Sequence, residues 1–332
     1  MTELQPYPIA LLTGAGFTHN FGGFLADQMW EKILNQPAVY THASVRQTML
    51  SGEHELNFER LYSYLRRRNE SEYPIFLGAL DLTYKQLDEI VRRNAVNSSQ
   101  GTVDLNMLME WMELFAPKAT GVKGFLFTLN QDLFHERMRW RHVPYLPGAP
   151  ADAQCGKVAE TRDVKKIRLP REIQYVGSAD GFEDFNLIKI HGSCNWLSSK
   201  EAEGDAIAIG LEKDSLIQEE PLLQGYLKLF EQVIQSRGLQ IWVIGYGFGD
   251  KHINKILADG VREAGLRLCV VDAQQPKSFF TNLSIRPHGN EIKPGISAYF
   301  SNTLTGIFPL NKSGISQPLQ SIEALMKTHL GQ

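Results

Sequence analysis

Asn130, Asp132 and His191 are polar side chains set where apolar runs stop: the first two follow GFLFTL (124–129), the third follows FNLIKI (185–190). An imidazole titrates near neutrality and can accept a proton from a hydroxyl or from water. A nearby amide can orient that water, and a carboxylate favours a cation developing beside it. Two glycine-rich turns complete the set. Gly14-Ala15-Gly16, followed by Phe17 and Thr18, comes after PIALLT (8–13), and Gly245-Tyr246-Gly247-Phe248-Gly249 comes after QIWVI (240–244). Free amides in a strand-to-helix turn hold phosphate, and glycine lets a ligand lie close to the backbone. Asp272, closing LRLCVVD (266–272), offers a carboxylate to a ribose hydroxyl. The combined chemistry is a dinucleotide pocket with its own acid–base groups.

Each group also has a plainer reading. The first turn lacks the third glycine or alanine of the strict dinucleotide fingerprint, because His19 stands there. Without a ligand it is a tight strand–helix connection. Asn and Asp are favoured wherever strands end, since their side chains bond nearby backbone. His191 is a strand-end histidine on the same footing, and Asp272 is open between a ribose contact and a turn cap. Arg66–Arg68 reads as a solvated helix face, while Trp30, Trp111, Met107, Met109 and Met112 read as core.

The elements that must position these groups follow from the apolar pattern. Runs at 8–13, 124–129, 185–190, 240–245 and 266–272 are continuous, as in a parallel sheet covered on both faces. From about Leu25 to Phe115 the spacing is helical: Leu56, Phe58, Leu61, Tyr62 and Leu65 form one set, and Leu105, Leu108, Met109, Met112 and Phe115 another. Pro117 closes that region. The stretch 143–185 opens on PYLPGAPADAQCG and reads as a long excursion with a minor hairpin, functional or mobile by its length. A helix with Leu222, Leu223, Tyr226, Leu227, Phe230, Val233 and Ile234 runs to Arg237 and stops at Gly238. A second runs over 250–264 with Asp250 as N-cap. PLQSIEALMKTHL closes the chain as an amphipathic helix with Leu319, Ile322, Leu325 and Met326 inward. The expected architecture is α/β: a Rossmann-like parallel sheet with helices on both faces and a helical insertion after the first strand. It occupies one domain over 1–332, with the insertion at about 40–116 and the excursion at about 143–185.

Composition excludes several classes. A chain of 332 residues, 43% hydrophobic and 21% charged, can bury a sizeable core. Its net charge of −3 gives no basic footprint for nucleic acid. No apolar run approaches the roughly 20 residues needed to cross a bilayer, and MTELQPYPIALL lacks the basic flank and cleavable stretch of a signal peptide. Cys155, Cys194 and Cys269 build neither a disulfide framework nor a zinc module. The expectation is a reduced, cytoplasmic, soluble protein without a bound metal.

The order of the segments resembles the sirtuin family. LLTGAGFTHNFGG (11–23) is followed by T-x-N-x-D in FTLNQD (127–132), K-x-H-G in KIHGS (189–193) and the glycine-bearing strand end VIGYGFGD (243–250), with Asp272 after the next strand. The second and third pieces are the most specific, and the resemblance covers most of the chain in scattered blocks. It implies NAD as the ligand. By that resemblance Gly14, Ala15, Gly16, Phe17 and Thr18 would contact its phosphates and ribose. Asn130 and Asp132 would line the nicotinamide ribose, and His191 would be the base. Gly245, Tyr246, Gly247 and Asp272 would hold the adenosine half, where a carboxylate disfavours a ribose phosphate and so favours NAD over NADP.

The chain departs from the protein-deacylating members. Where they carry an I-P-D-F-R type segment it has GGFLADQMW (22–30), and its three isolated cysteines cannot form their four-cysteine zinc module. It looks more like the bacterial sirtuin-like branch that cleaves NAD outright and resembles effectors of anti-phage defence. The D-x-x-I-N run Asp250–Asn254 is similar to that branch too. The implied activity is hydrolysis of NAD, as substrate, to nicotinamide and ADP-ribose without zinc. A protein deacylase and a non-catalytic NAD or ADP-ribose sensor are the alternatives. An enzyme that depletes NAD must be held inactive until triggered. That implies a homo-oligomer or a complex with a partner, a ring-forming DNA-translocase ATPase or a short Argonaute, meeting 40–115 and 143–185.

Overall fold

The structure, a computed structural model, describes residues 4–68, 71–96, 102–118, 121–157, 164–173, 182–200, 204–310 and 314–331. Its strands are β1 (Ile9–Thr13), β2 (Gly124–Thr128), β3 (Ile167–Arg168), β4 (Phe185–Lys189), β5 (Gly192–Leu197), β6 (Asp205–Ile207), β7 (Gln240–Ile244), β8 (Arg267–Asp272) and β9 (Ile296–Ser301). Six of them form a sheet in the order β4-β2-β1-β7-β8-β9, and β3, β5 and β6 form a smaller one. Every pairing in the large sheet is parallel. The chain builds outward from β1 through β2 to β4, then returns to the other side of β1 and builds outward again. That doubly wound order creates a switch point between β1 and β7, where such sheets take their ligands.

Burial explains the sheet. Every residue of β1, β2, β4 and β7 is buried. Successive side chains point to opposite faces, so both faces are covered by helices. β9 is a strand that the sequence pattern did not announce; its residues ISAYFS mix small and polar types, and most are half-buried at the sheet edge. The opposite edge is capped by the excursion. Tyr145 donates to the Phe185 carbonyl at 2.9 Å and accepts from Leu187 at 2.8 Å, which satisfies an otherwise open strand.

The expected helical insertion follows β1 as α1 (Ala15–His19), α2 (Ala26–Leu34), α3 (Pro37–Thr41), α4 (Ala43–Leu50), α5 (Phe58–Arg68), α6 (Glu72–Val96) and α7 (Leu105–Met112). Asp104 starts α7 by accepting from the amides of Asn106 and Met107. Later helices are α8 (Phe134–Arg137), α9 (Lys213–Glu219), α10 (Pro221–Ile234), α11 (Lys251–Asp259), α12 (Pro276–Ile285), α13 (Gly289–Ile292), α14 (Leu304–Ile307) and α15 (Gln317–His329). α10 stops at Ile234, short of the expected Arg237. The last turn of α11 widens over 260–264 and ends on Gly265, whose φ of +70° is left-handed. In α15 Leu319, Ile322 and Met326 are buried, whereas Leu325 is exposed, a correction to the expected inner face.

The excursion also differs from expectation. Its parts 158–163 and 174–181 lie outside the described residues. In the rest, β3 pairs in parallel with β5, so no hairpin is formed by this strand. Lys166 fastens this small sheet to the insertion: its Nζ reaches Asp81 of α6 at 2.8 Å, Asp205 of β6 at 2.7 Å and the Cys194 carbonyl at 2.9 Å. Among the described residues no helix is long and apolar enough to cross a membrane.

Candidate active site

The segments singled out in the sequence all leave the sheet at its carboxyl edge: Gly14 after β1, Asn130 and Asp132 after β2, His191 after β4, Gly245–Gly249 after β7 and Asp272 at the end of β8. A cavity of about 370 Å³ opens at the opposite edge, where β2 and β4 begin, and none of these groups lines it.

The two glycine turns pack on each other at the switch point. Gly14 donates to the Ile244 carbonyl at 3.0 Å, Gly16 to the Gly245 carbonyl at 2.8 Å, and Phe17 to Gly14 at 2.9 Å. These amides are therefore committed to backbone, which corrects the expectation of a free cradle there. A Cβ on Gly16 would stand 2.7 Å from the Gly245 Cα, and one on Gly14 2.7 Å from the Gly245 carbonyl oxygen. Gly245 itself has φ +63°. The exposed Ala15 lies at the tip of this turn. The Phe17 ring is fully buried against Phe21 and Phe134, so it belongs to the core.

The far end of the second turn differs. Around Gly247 and Gly249 a Cβ would meet nothing within 4 Å. Between them Phe248 holds φ +51°, a left-handed conformation that costs a bulky residue on the order of 1 kcal/mol. Its ring is packed between Tyr246 and Phe279. Tyr246 is buried and donates to Asn254 at 2.9 Å, while the Asn254 amide donates to the Phe248 carbonyl at 2.8 Å. The Asn of the D-x-x-I-N run thus braces the loop.

Asn130 is buried beside the first turn. Its Nδ2 donates to the Gly14 carbonyl at 3.0 Å and to Thr18 Oγ1 at 3.3 Å, and its backbone amide donates to Thr128 Oγ1 at 3.1 Å. Thr13 donates to Thr128 at 2.9 Å, so a hydroxyl pair across β1 and β2 fixes the residue. Asp132 does not hold Asn130. Its carboxylate accepts from the Phe134 amide at 3.0 Å, the turn chemistry of the plainer reading. It lies in a buried charge cluster in which Lys189 reaches Glu136 at 2.7 Å and the Asp132 carbonyl at 2.5 Å, and Arg137 reaches Asp88 at 2.8 Å. Burial pushes the Asp132 carboxyl up to about 6, against the pull of the Lys189 ammonium.

His191 lies in a second cluster. Its Nε2 is 3.0 Å from Nε2 of His252, whose Nδ1 is 3.2 Å from Asp214. Asp250, expected to cap α11 with its carboxylate, stands at the cap position without that bond. Lys213 takes it instead, 2.6 Å from Asp250 and 2.8 Å from Glu59. Burial holds the His191 imidazole down to about 3, with Asp250 opposing the shift. Burial likewise lowers His252, while burial raises Glu59. Asp250 is lowered to about 2: the Lys213 ammonium overrides the opposing effect of burial. His252, Lys213, Asp214 and Glu59 were missed in the sequence; the signal that could have flagged His252 is its place two residues after Asp250. Asp272 is half-buried and accepts from the Gln274 amide at 2.8 Å through one oxygen.

No family model matches this chain, and no curated protein does. Among solved structures it aligns with a serine-to-alanine mutant of a Sir2 homologue in complex with ADP-ribose, at TM-score 0.38 and 13% identity, over 90% of this chain and 87% of that one. It aligns with a Sir2 homologue–NAD complex at TM-score 0.39 and 13% identity, over 90% and 84%. At that level no residue role is carried across.

What the arrangement can do follows from its own groups. A neutral imidazole is in the form that accepts a proton, and the ionised Asp250 nearby favours the imidazolium that results. His252 and the exposed Asp214 continue from it towards solvent.

Proposed function

We propose that this chain is an NAD hydrolase that releases nicotinamide and ADP-ribose. The observation that carries the reading is the placement of Asn130 and His191 at the carboxyl edge of a doubly wound sheet, beside a glycine loop with open space over Gly247 and Gly249. The sequence resemblance points the same way.

Cleaving the bond between nicotinamide and ribose develops oxocarbenium character, as in glycoside cleavage. Nicotinamide leaves as a neutral molecule, so strong acid catalysis is unnecessary. The site has to place the ribose, favour positive charge and admit water. Asn130 orients a ribose hydroxyl or the attacking water through its carboxamide, which the Gly14 carbonyl and Thr18 hold in place. His191 accepts the proton. Asp132 serves by fixing the turn that carries Asn130 and by its charge behind it. On the other side of the switch point Gly247 and the second oxygen of Asp272 take the adenosine half, in NAD rather than NADP. Ala15 and the turn around it approach the phosphates.

In the same reading the enzyme works in the cytoplasm as an NAD-depleting effector of anti-phage defence, within a homo-oligomer or a complex with one of the partners named above. Exposed Tyr40, Leu50 and Leu56 in the insertion and Val143 in the excursion support contact surfaces there.

The test is chromatography of the purified protein incubated with NAD alone. Nicotinamide and ADP-ribose are expected, with release falling about 10²–10⁴-fold in Asn130→Ala and in His191→Ala while both variants keep a folded circular-dichroism spectrum. Most activity surviving in both would sink the assignment. Binding of NAD without release would favour the sensor.

A further inference from the structure

His191 and His252 face each other through the same ring nitrogen, Nε2 to Nε2 at 3.0 Å. The His252 ring is also engaged on its other side. His252 Nδ1 lies 3.2 Å from the Asp214 carboxylate. A neutral imidazole carries a single N–H. That carboxylate favours the His252 tautomer protonated at Nδ1, which leaves the Nε2 lone pair facing His191. Two ring nitrogens this close hold either a shared proton or a cation between them. A third donor is in place: a carboxylate oxygen of Asp250 and the two ring nitrogens lie within 4.8 Å of one another.

We propose that His191, His252 and Asp250 form a binding site for a first-row divalent cation of the zinc class. Donors on a tetrahedral zinc stand about 3.3 Å apart at the usual Zn–N and Zn–O lengths, so the histidine pair is nearly in position and Asp250 closes by a small side-chain rotation. Asp250 has one oxygen on Lys213 and a second to offer. The outer support of His252 is that of a metal-bound histidine, a carboxylate beside the ring nitrogen remote from the ion. Two carboxylates, Glu59 and Asp250, pair with one ammonium, Lys213, and Asp214 stands beside His252, which leaves a negative surplus for a divalent ion. Without cysteine in the set, a count of cysteines could not reveal the site. On the reading of the preceding section the ion holds the lone pair that the base needs, so the metal-stripped protein is the form to assay for turnover.

The experiment is a titration of metal-stripped full-length protein with Co²⁺, followed by its visible ligand-field absorption and by displacement with Zn²⁺. One equivalent is expected, without the near-ultraviolet thiolate band that the cysteines would give. Affinity should fall at least 100-fold in His252→Ala and about 10–100-fold in Asp214→Asn, an exposed position whose change spares the fold. Thermal melting checks that both variants remain folded. Absence of stoichiometric binding, or equal binding in wild type and both variants, overturns the site and leaves a shared proton between the rings. Neither readout depends on NAD turnover, so failure of the metal site and failure of the hydrolase reading are separable.

Discussion

Two ionic clusters border the carboxyl edge of the sheet, two residues apart along the chain at Lys189 and His191, and they are built on opposite principles. Around Lys189 every charged member is buried: Glu136 and Arg137 of α8, Asp88 of α6, and Asp132. Its charges pair inward. Around His191 the network runs from half-buried Glu59 and Lys213 through Asp250 and His252 to Asp214, whose side chain is 65% exposed. Groups that exchange protons or cations need such an outlet; groups that only fix architecture do not. The closed cluster ties α6 and α8 to β4 and holds the turn that carries Asn130. The open cluster is where chemistry has access.

The largest consequence concerns the two lysines. Lys189→Met leaves Glu136 buried without its partner and should lower the free energy of unfolding by about 3–5 kcal/mol. Lys213→Met leaves Asp250 and Glu59 in a cluster that water can reach, and about 1–3 kcal/mol is expected. Urea denaturation of both variants checks the difference. Equal losses would show that the two clusters are not distinct in kind.

The pH dependence sharpens the same contrast. Asp132 is raised from 3.8 to about 6 in the folded protein, so its contribution is fully present below 3.8 and is lost as pH rises through 6. His191 is lowered from 6.5 to about 3, so its contribution is full above 6.5 and is lost as pH falls towards 3. His135 is also held near 3 by burial and adds to the acid-side loss. Between pH 4 and 7, Asp132→Asn should gain stability relative to wild type as pH rises, and His191→Gln should gain it as pH falls. Each slope is at most about 1.4 kcal/mol per pH unit. Denaturant midpoints measured across that range decide it; slopes of the same sign would break the comparison.

These contrasts also mark what the sequence discloses. Five strands of the large sheet are continuous apolar runs and are legible as such, whereas ISAYFS has no such run because β9 sits at a half-exposed edge. The segments carrying Asn130, His191 and the glycine turns are legible because polar groups interrupt strand ends. Glu59, Lys213, Asp214 and His252 are not, since they come from α5, α9 and α11 and no spacing relates them before the helices pack. Asp132 reads alike whether it faces a ligand or caps a turn. Glycine has the same ambiguity: it permits the approach of a ligand or of another backbone, and the tertiary contact alone distinguishes them.

The glycines therefore supply the smallest and most local test. An alanine Cβ at Gly16 would stand 2.7 Å from the Gly245 Cα, and neither backbone can yield cheaply. Gly16→Ala should cost about 1–3 kcal/mol of stability. Gly247→Ala introduces a methyl into open space and should change stability by no more than about 0.5 kcal/mol. If NAD lies over this loop, the same methyl raises its Kd roughly tenfold, about 1.4 kcal/mol, by calorimetry. A Gly247→Ala protein with unchanged affinity would move the nucleotide away from the second turn, and with it the adenosine role of Asp272.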